Sequence, residues 1–185
     1  DNDMNEGGIF IFNPKDNSNA PVPSMQEEVL RYWAALPEVV REAFVKGLSK
    51  EEIVSPLEWR RIIGELSEKM IVCPKCGNTM YRQESGKSIC PNCGKMMDTA
   101  RKLRDIRSDN IVPLYEGFEL MTSNTGPAVG KVLLNKDMLM LKNLSRHEWN
   151  AQTPTGKEKI VASGEMMPLN EGIKVKIGTC DYVIE

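Results

Sequence analysis

The feature that most constrains this sequence is a cysteine turn that occurs twice. C-P-K-C-G stands at 73–77 and C-P-N-C-G at 90–94, with thirteen residues between the two cysteine pairs. A C-x2-C turn directs two thiolates at one point, and the glycine after it permits a positive φ. Four thiolates complete the tetrahedral coordination of Zn²⁺ and leave no position for water. We therefore predict one structural zinc ion, with these ligands: Cys73, Cys76, Cys90 and Cys93.

Two other uses of four cysteines are a disulfide framework and an iron–sulfur cluster. Disulfides need an oxidising compartment, and the sequence does not start with the charged-then-apolar segment that directs export. Paired C-P-x-C-G turns suit a zinc ribbon better than an iron–sulfur cluster. The fifth cysteine, Cys180, lies in an apolar-alternating stretch, which predicts an ordinary core thiol.

Composition narrows the class of protein. The 185 residues carry a net charge of −2, which argues against the general basicity of a nucleic-acid binder. No apolar run approaches the roughly 18 residues of a membrane helix, so we expect no membrane span and a cytoplasmic protein. Only 6% of the residues are aromatic, too few for one large aromatic-rich core. Several small units are predicted, each needing a stabiliser such as a metal.

The pattern of apolar residues divides the chain into four parts. We predict a multi-part α plus β fold, with N-terminal helices over 1–70, a four-cysteine zinc ribbon over 71–97, a polar linker over 98–110 and a small β-sandwich over 111–185. In the last part the apolar period is two, as in half-buried strands. Seven short runs show it: 111–115, 117–121, 128–134, 138–142, 147–152, 158–162 and 173–184.

The helices have recognisable starts. Ser24-Met25-Gln26-Glu27 has the form of a capping box, and Pro37 stands at a plausible first helical position. Ser55-Pro56-Leu57-Glu58 is a stronger start, with Ser at the N-cap and Pro directly after it. The helix that follows is predicted to bury one apolar stripe, made of Trp59, Ile62, Ile63 and Leu66.

No catalytic constellation stands out. His147 is the only histidine, and we predict that it shares one face of a strand with Ser145, without a catalytic role. Gly86-Lys87-Ser88 is similar to the end of a phosphate-binding loop, but Tyr81 stands where that motif needs its first glycine. We interpret it as the hairpin turn of the ribbon.

Two segments before the ribbon resemble a known family. The sequence at 43–48 (A-F-V-K-G-L) and 55–59 (S-P-L-E-W) resembles the last helices of a eukaryotic-like Ser/Thr protein kinase domain. The apolar run at 9–12, inside G-I-F-I-F-N-P, needs burial, and it is similar to the end of the C-lobe in a bacterial subgroup of these kinases. In that subgroup a zinc ribbon and a β-rich module follow the kinase.

This resemblance implies a C-terminal region of such a kinase. The expected partners are the rest of the kinase domain upstream and a metal-dependent phosphatase or von Willebrand A-type protein. The chain has no glycine-rich loop, H-R-D or D-F-G motif, so we expect no enzymatic activity of its own.

The C-terminal part resembles a reduced forkhead-associated domain. The similar segments are Gly130-Lys131, Asn143-Leu144-Ser145 and the sequence at 169–178. Members of that family bind phosphothreonine, and the resemblance implies that Lys131, Asn143 and Ser145 hold the phosphate. Lys131 stands where the family has an arginine, so Arg146 is a further candidate, as the source of the missing guanidinium.

Two functions follow as hypotheses. The first is a non-catalytic regulatory and scaffolding region of a Ser/Thr protein kinase, with a β module for protein or phosphopeptide interaction. The alternative is a stand-alone zinc-ribbon protein that binds nucleic acid through a basic face. Six residues would form that face: Lys75, Arg82, Lys87, Arg101, Lys102 and Arg104.

Overall fold

The computed structural model describes residues 10–48, 53–123 and 125–185. In these ranges three helices are followed by fourteen short strands and a four-cysteine cluster, which confirms the predicted α plus β class. The helices are α1 (Glu27–Ala35), α2 (Glu38–Leu48) and α3 (Pro56–Glu68). Each of them is too short or too polar to cross a bilayer.

Helices α2 and α3 share a small apolar core. Val40 and Ala43 of α2 and Ile62 of α3 are buried, and Phe44 and Trp59 pack against them with ring centroids 5.2 Å apart. The predicted start of α3 is confirmed, because the Ser55 Oγ accepts a hydrogen bond from the Glu58 amide at 3.2 Å.

Two details of the helical prediction are wrong. Helix α1 has Gln26 as its N-cap, not Ser24, and the Gln26 Oε1 accepts a hydrogen bond from the Val22 amide at 2.8 Å. That bond lies before the helix, and Gln26 forms no side-chain hydrogen bond that caps α1. In α3, Ile63 is 57% exposed, because only the side of the helix around Ile62 faces α2.

The apolar run near the N-terminus packs on α1. The ring of Phe12 stacks on Trp33 with centroids 4.1 Å apart and an interplanar angle of 3°, and Phe10 meets Trp33 edge-on. Phe10 and Phe12 are half-buried, so the burial predicted for this run is met in part, and Ile9 lies outside the described residues.

The ribbon consists of two separate hairpins. Strand β1 (Met70–Val72) pairs with β2 (Thr79–Tyr81), and β3 (Lys87–Ile89) pairs with β4 (Met96–Asp98). Each hairpin encloses one C-P-x-C-G turn. Gly86 does not form a hairpin turn, since β2 and β3 belong to different sheets. It has a φ of +73° and closes the connection between the hairpins by a hydrogen bond to the Gln83 carbonyl.

Two antiparallel sheets form a sandwich after the ribbon. Between them lies one core that includes Val132 and Leu141 from one sheet and Trp149, Val175 and Ile184 from the other. The first sheet has the order β11-β10-β13-β14-β5-β6, and the second has the order β12-β9-β8-β7. The strands are β5 (Lys102–Asp105), β6 (Ile111–Pro113), β7 (Glu119–Met121), β8 (Ala128–Asn135), β9 (Met138–Asn143), β10 (Trp149–Gln152), β11 (Glu158–Val161), β12 (Met166–Pro168), β13 (Lys174–Ile177) and β14 (Cys180–Ile184).

The prediction of a linker over 98–110 is wrong. Strand β5 pairs with β14 on one side and β6 on the other, so the sandwich begins near residue 102. Its only fully buried side chain is Leu103, and the flanking residues are charged, so the segment looks polar in sequence. Arg104, on the outer side, pairs with Glu185 and Asp109. Strand β12 was also not predicted.

Candidate metal centre

The two cysteine turns have the same backbone geometry. In the first, the Cys73 amide donates to the Asn78 carbonyl and the Gly77 amide donates to the Cys73 carbonyl, both at 2.9 Å. In the second, the equivalent bonds are Cys90 to Lys95 at 2.8 Å and Gly94 to Cys90 at 2.9 Å. These bonds aim both thiols of each turn at the space between the hairpins.

The glycine of each turn is required by its backbone conformation. Gly77 and Gly94 have φ values of +71° and +70°, in the left-handed region that side chains disfavour. A Cβ at either position would meet nothing within 4 Å, so space is not the constraint.

The four predicted cysteines come together in the structure. All four Sγ atoms lie within 4.8 Å of one another. Two of the distances cross between the turns: 3.6 Å from Cys73 to Cys93 and 3.6 Å from Cys76 to Cys90. Both pairs are too far apart for a disulfide, whose sulfurs lie about 2.05 Å apart. The cluster can hold a metal ion.

The electrostatics of the cluster favour a bound cation. The Asn78 amide, followed by the Asn92 side chain, lowers the pKa of Cys76 to about 6. The corresponding amide of Lys95 lowers the pKa of Cys93, but burial and the three neighbouring thiols outweigh it and raise the pKa to about 11. Thiols this close cannot all ionise alone, whereas a cation stabilises four thiolates together.

A small core lies beside the cluster, and part of it comes from the sandwich. Ile71, Met80 and Met97 of the ribbon are buried around Cys73 and Cys90. The segment between β6 and β7 completes this core. Its contributions are Tyr115, which is 9% exposed and in contact with the Val72 backbone through its hydroxyl, and Phe118, which packs against both cores.

Further contacts hold the same segment against the ribbon. Lys95 pairs with Glu116 at 2.8 Å between Nζ and Oε2, with both side chains about three-quarters buried. Gly117 passes so close to Pro74 that an added Cβ would lie 3.1 Å from the proline Cβ. The ribbon and the sandwich therefore share one continuous interface. In the sequence, this interface shows only as two aromatic residues, Tyr115 and Phe118, in a short turn segment. That pattern does not distinguish interface residues from ordinary core residues.

Two of the residues implied to bind phosphate have structural roles in the loop after β9. Asn143 is fully buried, and its Nδ2 donates to the carbonyls of His147 at 2.8 Å and Val161 at 3.0 Å. Its Oδ1 accepts from the Ser145 amide at 2.9 Å and the Ser145 hydroxyl at 2.7 Å. Asn143 thus ties β9, its loop and β11 together.

Of the other two residues implied to bind phosphate, Arg146 lies next to Ser145, whereas Lys131 lies apart. Arg146 is exposed in the same loop, close in sequence to Ser145. Lys131 is on β8, where its neighbour Gly130 is the register partner of Asn143 and is buried against Trp149. Because side chains alternate along a strand, Lys131 points to the outer face, where it pairs with Glu119 at 2.8 Å. The structure brings together Asn143, Ser145 and Arg146, and separates Lys131 from them.

His147 and Ser145 lie in the loop before β10, not on a strand as predicted, and His147 is exposed. Cys180 is only partly buried and packs against the edge of the sandwich core.

Two of the six residues of the nucleic-acid face predicted from the sequence pair with carboxylates. Arg101 pairs with Glu171 at 3.8 Å, and Arg104 is bound by two acidic groups. Such pairing reduces the positive potential that a phosphate backbone needs. No known protein family, curated protein or solved structure matches this chain.

Proposed function

We propose that this chain is a non-catalytic regulatory and scaffolding region of a Ser/Thr protein kinase, in which a zinc ribbon supports a β-sandwich that binds protein partners. The observation that carries the scaffolding role is the shared core at Tyr115 and Phe118. The next module completes the core of the ribbon. The ribbon therefore holds that module in a fixed orientation, and the two do not move independently.

Zinc is the metal that we propose for the cysteine cluster. Four sulfurs at about 2.3 Å from one ion lie about 3.8 Å apart in a regular tetrahedron. The 3.6 Å separations between Cys73 and Cys93 and between Cys76 and Cys90 fit that size, as does the 4.8 Å limit on all four sulfurs. When bound, zinc would supply a structural crosslink between the hairpins, because four thiolates leave no position for a substrate or water.

Elemental analysis tests this metal directly. We expect one zinc per chain in protein prepared without added metal, and zinc should be lost in Cys90→Ser. Cys180→Ser is the matched control, because Cys180 lies outside the cluster. Iron in place of zinc, or no stoichiometric metal, would overturn the assignment.

The kinase connection rests on the resemblance of 43–48 and 55–59 to the end of a C-lobe. Its structural support is the exposed apolar surface on two of the helices. On α3, Leu57 is 77% exposed and Ile63 57% exposed, and α1 has no buried residue. Exposed apolar side chains on two helices suit packing against a further helical domain.

The coding sequence upstream of Asp1 tests this connection. We expect it to encode a glycine-rich loop, an H-R-D motif and a D-F-G motif in that order. If those motifs are missing, the kinase proposal fails, while the zinc assignment remains open to its own test.

Peptide binding tests the role of the sandwich. We expect a phosphothreonine peptide to bind more tightly than its unphosphorylated form, and Arg146→Ala to remove most of that difference. Lys159→Ala on β11 is the control, since Lys159 is exposed and outside the loop. Equal binding of both peptides would leave the sandwich as a module without phosphate specificity.

A further inference from the structure

A cleft lies where the helices meet the ribbon. It has a volume of about 410 Å³ and is bounded by the start of α2 on one side and by the turn after β2 on the other. Gln83 connects the two sides, because its Nε2 donates to the Ala35 carbonyl at 2.8 Å.

Two arginines in this cleft have unsatisfied donors. The Nε atoms of Arg41 on α2 and Arg82 after β2 are buried and have no hydrogen-bond partner. In the part of the chain that the structure describes, neither guanidinium forms an ion pair or side-chain hydrogen bond. A buried charged donor without an acceptor costs folding free energy, so two of them in one cleft need an explanation.

The other charged groups of the cleft do not supply the acceptor. Lys69 is paired with Glu84, whose side chain is 85% exposed. The pKa of Glu84 is lowered, mainly by its hydrogen bond with Lys69 and further by the charges of Lys69 and Arg82. Glu38 and Glu42 also line the cleft, but both are exposed and neither lies within ion-pair distance of an arginine there. Lys102 adds positive charge in the adjoining cleft, which Arg82 also lines.

We propose that this cleft binds a phosphate monoester through Arg41 and Arg82. A guanidinium presents planar pairs of N–H donors that match two oxygens of a phosphate. The Nε atoms of Arg41 and Arg82 are buried, so a phosphate in the cleft binds first to their Nη groups, which form no hydrogen bond in the described part of the chain. A phosphate monoester carries a charge of about −1.5 to −2 near neutral pH, so it can satisfy two guanidiniums where one carboxylate cannot. This site is separate from the loop at Arg146 and does not depend on the proposed kinase connection.

The test is a titration of the full chain with inorganic phosphate at constant ionic strength, followed by NMR of the arginine Nε–H groups. We expect two of these resonances to shift together and saturably, and the shifts to vanish in Arg41→Gln and Arg82→Gln. Affinity should fall by about tenfold or more in each variant, because one of the two planar pairs of charge-assisted donors is lost. Arg60→Gln is the matched control, an exposed arginine on α3.

Two further arms complete the test. O-phosphoserine and adenosine monophosphate, titrated separately, show whether a phosphorylated side chain or a nucleotide is the better source of the group. Arg41→Lys and Arg82→Lys keep the positive charge but lose the planar pair of N–H donors. They should therefore bind phosphate more weakly than the native chain and more tightly than the Gln variants. If a variant does not fold, the titration of the native chain with phosphate decides by itself whether the proposal holds. No saturable Nε–H shift with phosphate, or equal weakening in Arg60→Gln, overturns the proposal.

Discussion

The ribbon and the sandwich are both built from short antiparallel strands, but they are stabilised in different ways. Among the described residues, the sandwich core contains fifteen buried side chains from the two sheets and the segments that connect their strands. The ribbon core contains three apolar residues of its own, Ile71, Met80 and Met97, together with two cysteines and the borrowed Tyr115. Two hairpins of three-residue strands bury too little apolar surface to balance their conformational entropy. Hydrophobic burial is therefore sufficient to keep the sandwich folded but not the ribbon.

Removal of the metal should separate the two regions most clearly. We expect a chelator, or Cys90→Ser, to unfold the ribbon while the sandwich remains folded, because metal binding of about 10–16 kcal/mol supplies the folding energy of such a unit. Backbone NMR resonances should lose dispersion in β1–β4 and keep it in β8, β9 and β13. Cys180→Ser serves as control and should leave both regions intact. A metal-free chain with a fully ordered ribbon would contradict the comparison.

Truncation of the sandwich core should have the next largest effect. Trp149 is 1% exposed and packs against Gly130, where an added Cβ would lie 3.0 Å from its ring. Trp149→Ala should lower the free energy of unfolding by about 3–5 kcal/mol, through lost burial and the cavity left behind. Urea unfolding followed by far-UV circular dichroism measures it. Leu134→Ala, at a half-exposed position of the same sandwich, is the control, and an equal cost in both variants would be inconsistent with this core.

The shared interface gives the third prediction. Tyr115→Phe removes only the hydroxyl that contacts the Val72 backbone and should cost about 0.5–1.5 kcal/mol. Tyr115→Ala also removes the ring from the ribbon core and should cost about 3–5 kcal/mol, with faster loss of metal to a chelator. A colorimetric chelator assay measures the rate of that loss. If Tyr115→Ala leaves the rate unchanged, the ribbon does not depend on the sandwich.

The smallest loss of stability is expected in the helices, which are stabilised neither by the cysteine cluster nor by a large core. Ser55→Ala removes the acceptor for the Glu58 amide and should cost about 1 kcal/mol. Thermal unfolding measured by circular dichroism can detect it. Ser67→Ala is the matched control on the same helix, since the Ser67 hydroxyl only donates to the Ile63 carbonyl. A larger cost at Ser67 than at Ser55 would be evidence against the cap.

The candidate metal site could be predicted because its geometry is local. Each pair of cysteines is positioned by hydrogen bonds within six residues, such as that between Cys73 and Asn78, so the motif carries its own structure. The start of α3 could be predicted for the same reason. The predicted phosphate site was different: the resemblance placed Lys131 beside Asn143, but their side chains lie on opposite faces of one sheet.

The sequence by itself determined the four-cysteine cluster, the α plus β class and the alternation of the sandwich strands. Only the tertiary structure decided that 102–105 is a strand, because its partners in β14 lie almost eighty residues away. It also decided that Tyr115 completes the ribbon core, and that Arg41 and Arg82 share one cleft. The physical reason is the range of the interactions: turns, caps and alternation act between near neighbours, whereas sheet order, shared cores and clefts depend on contacts between distant segments.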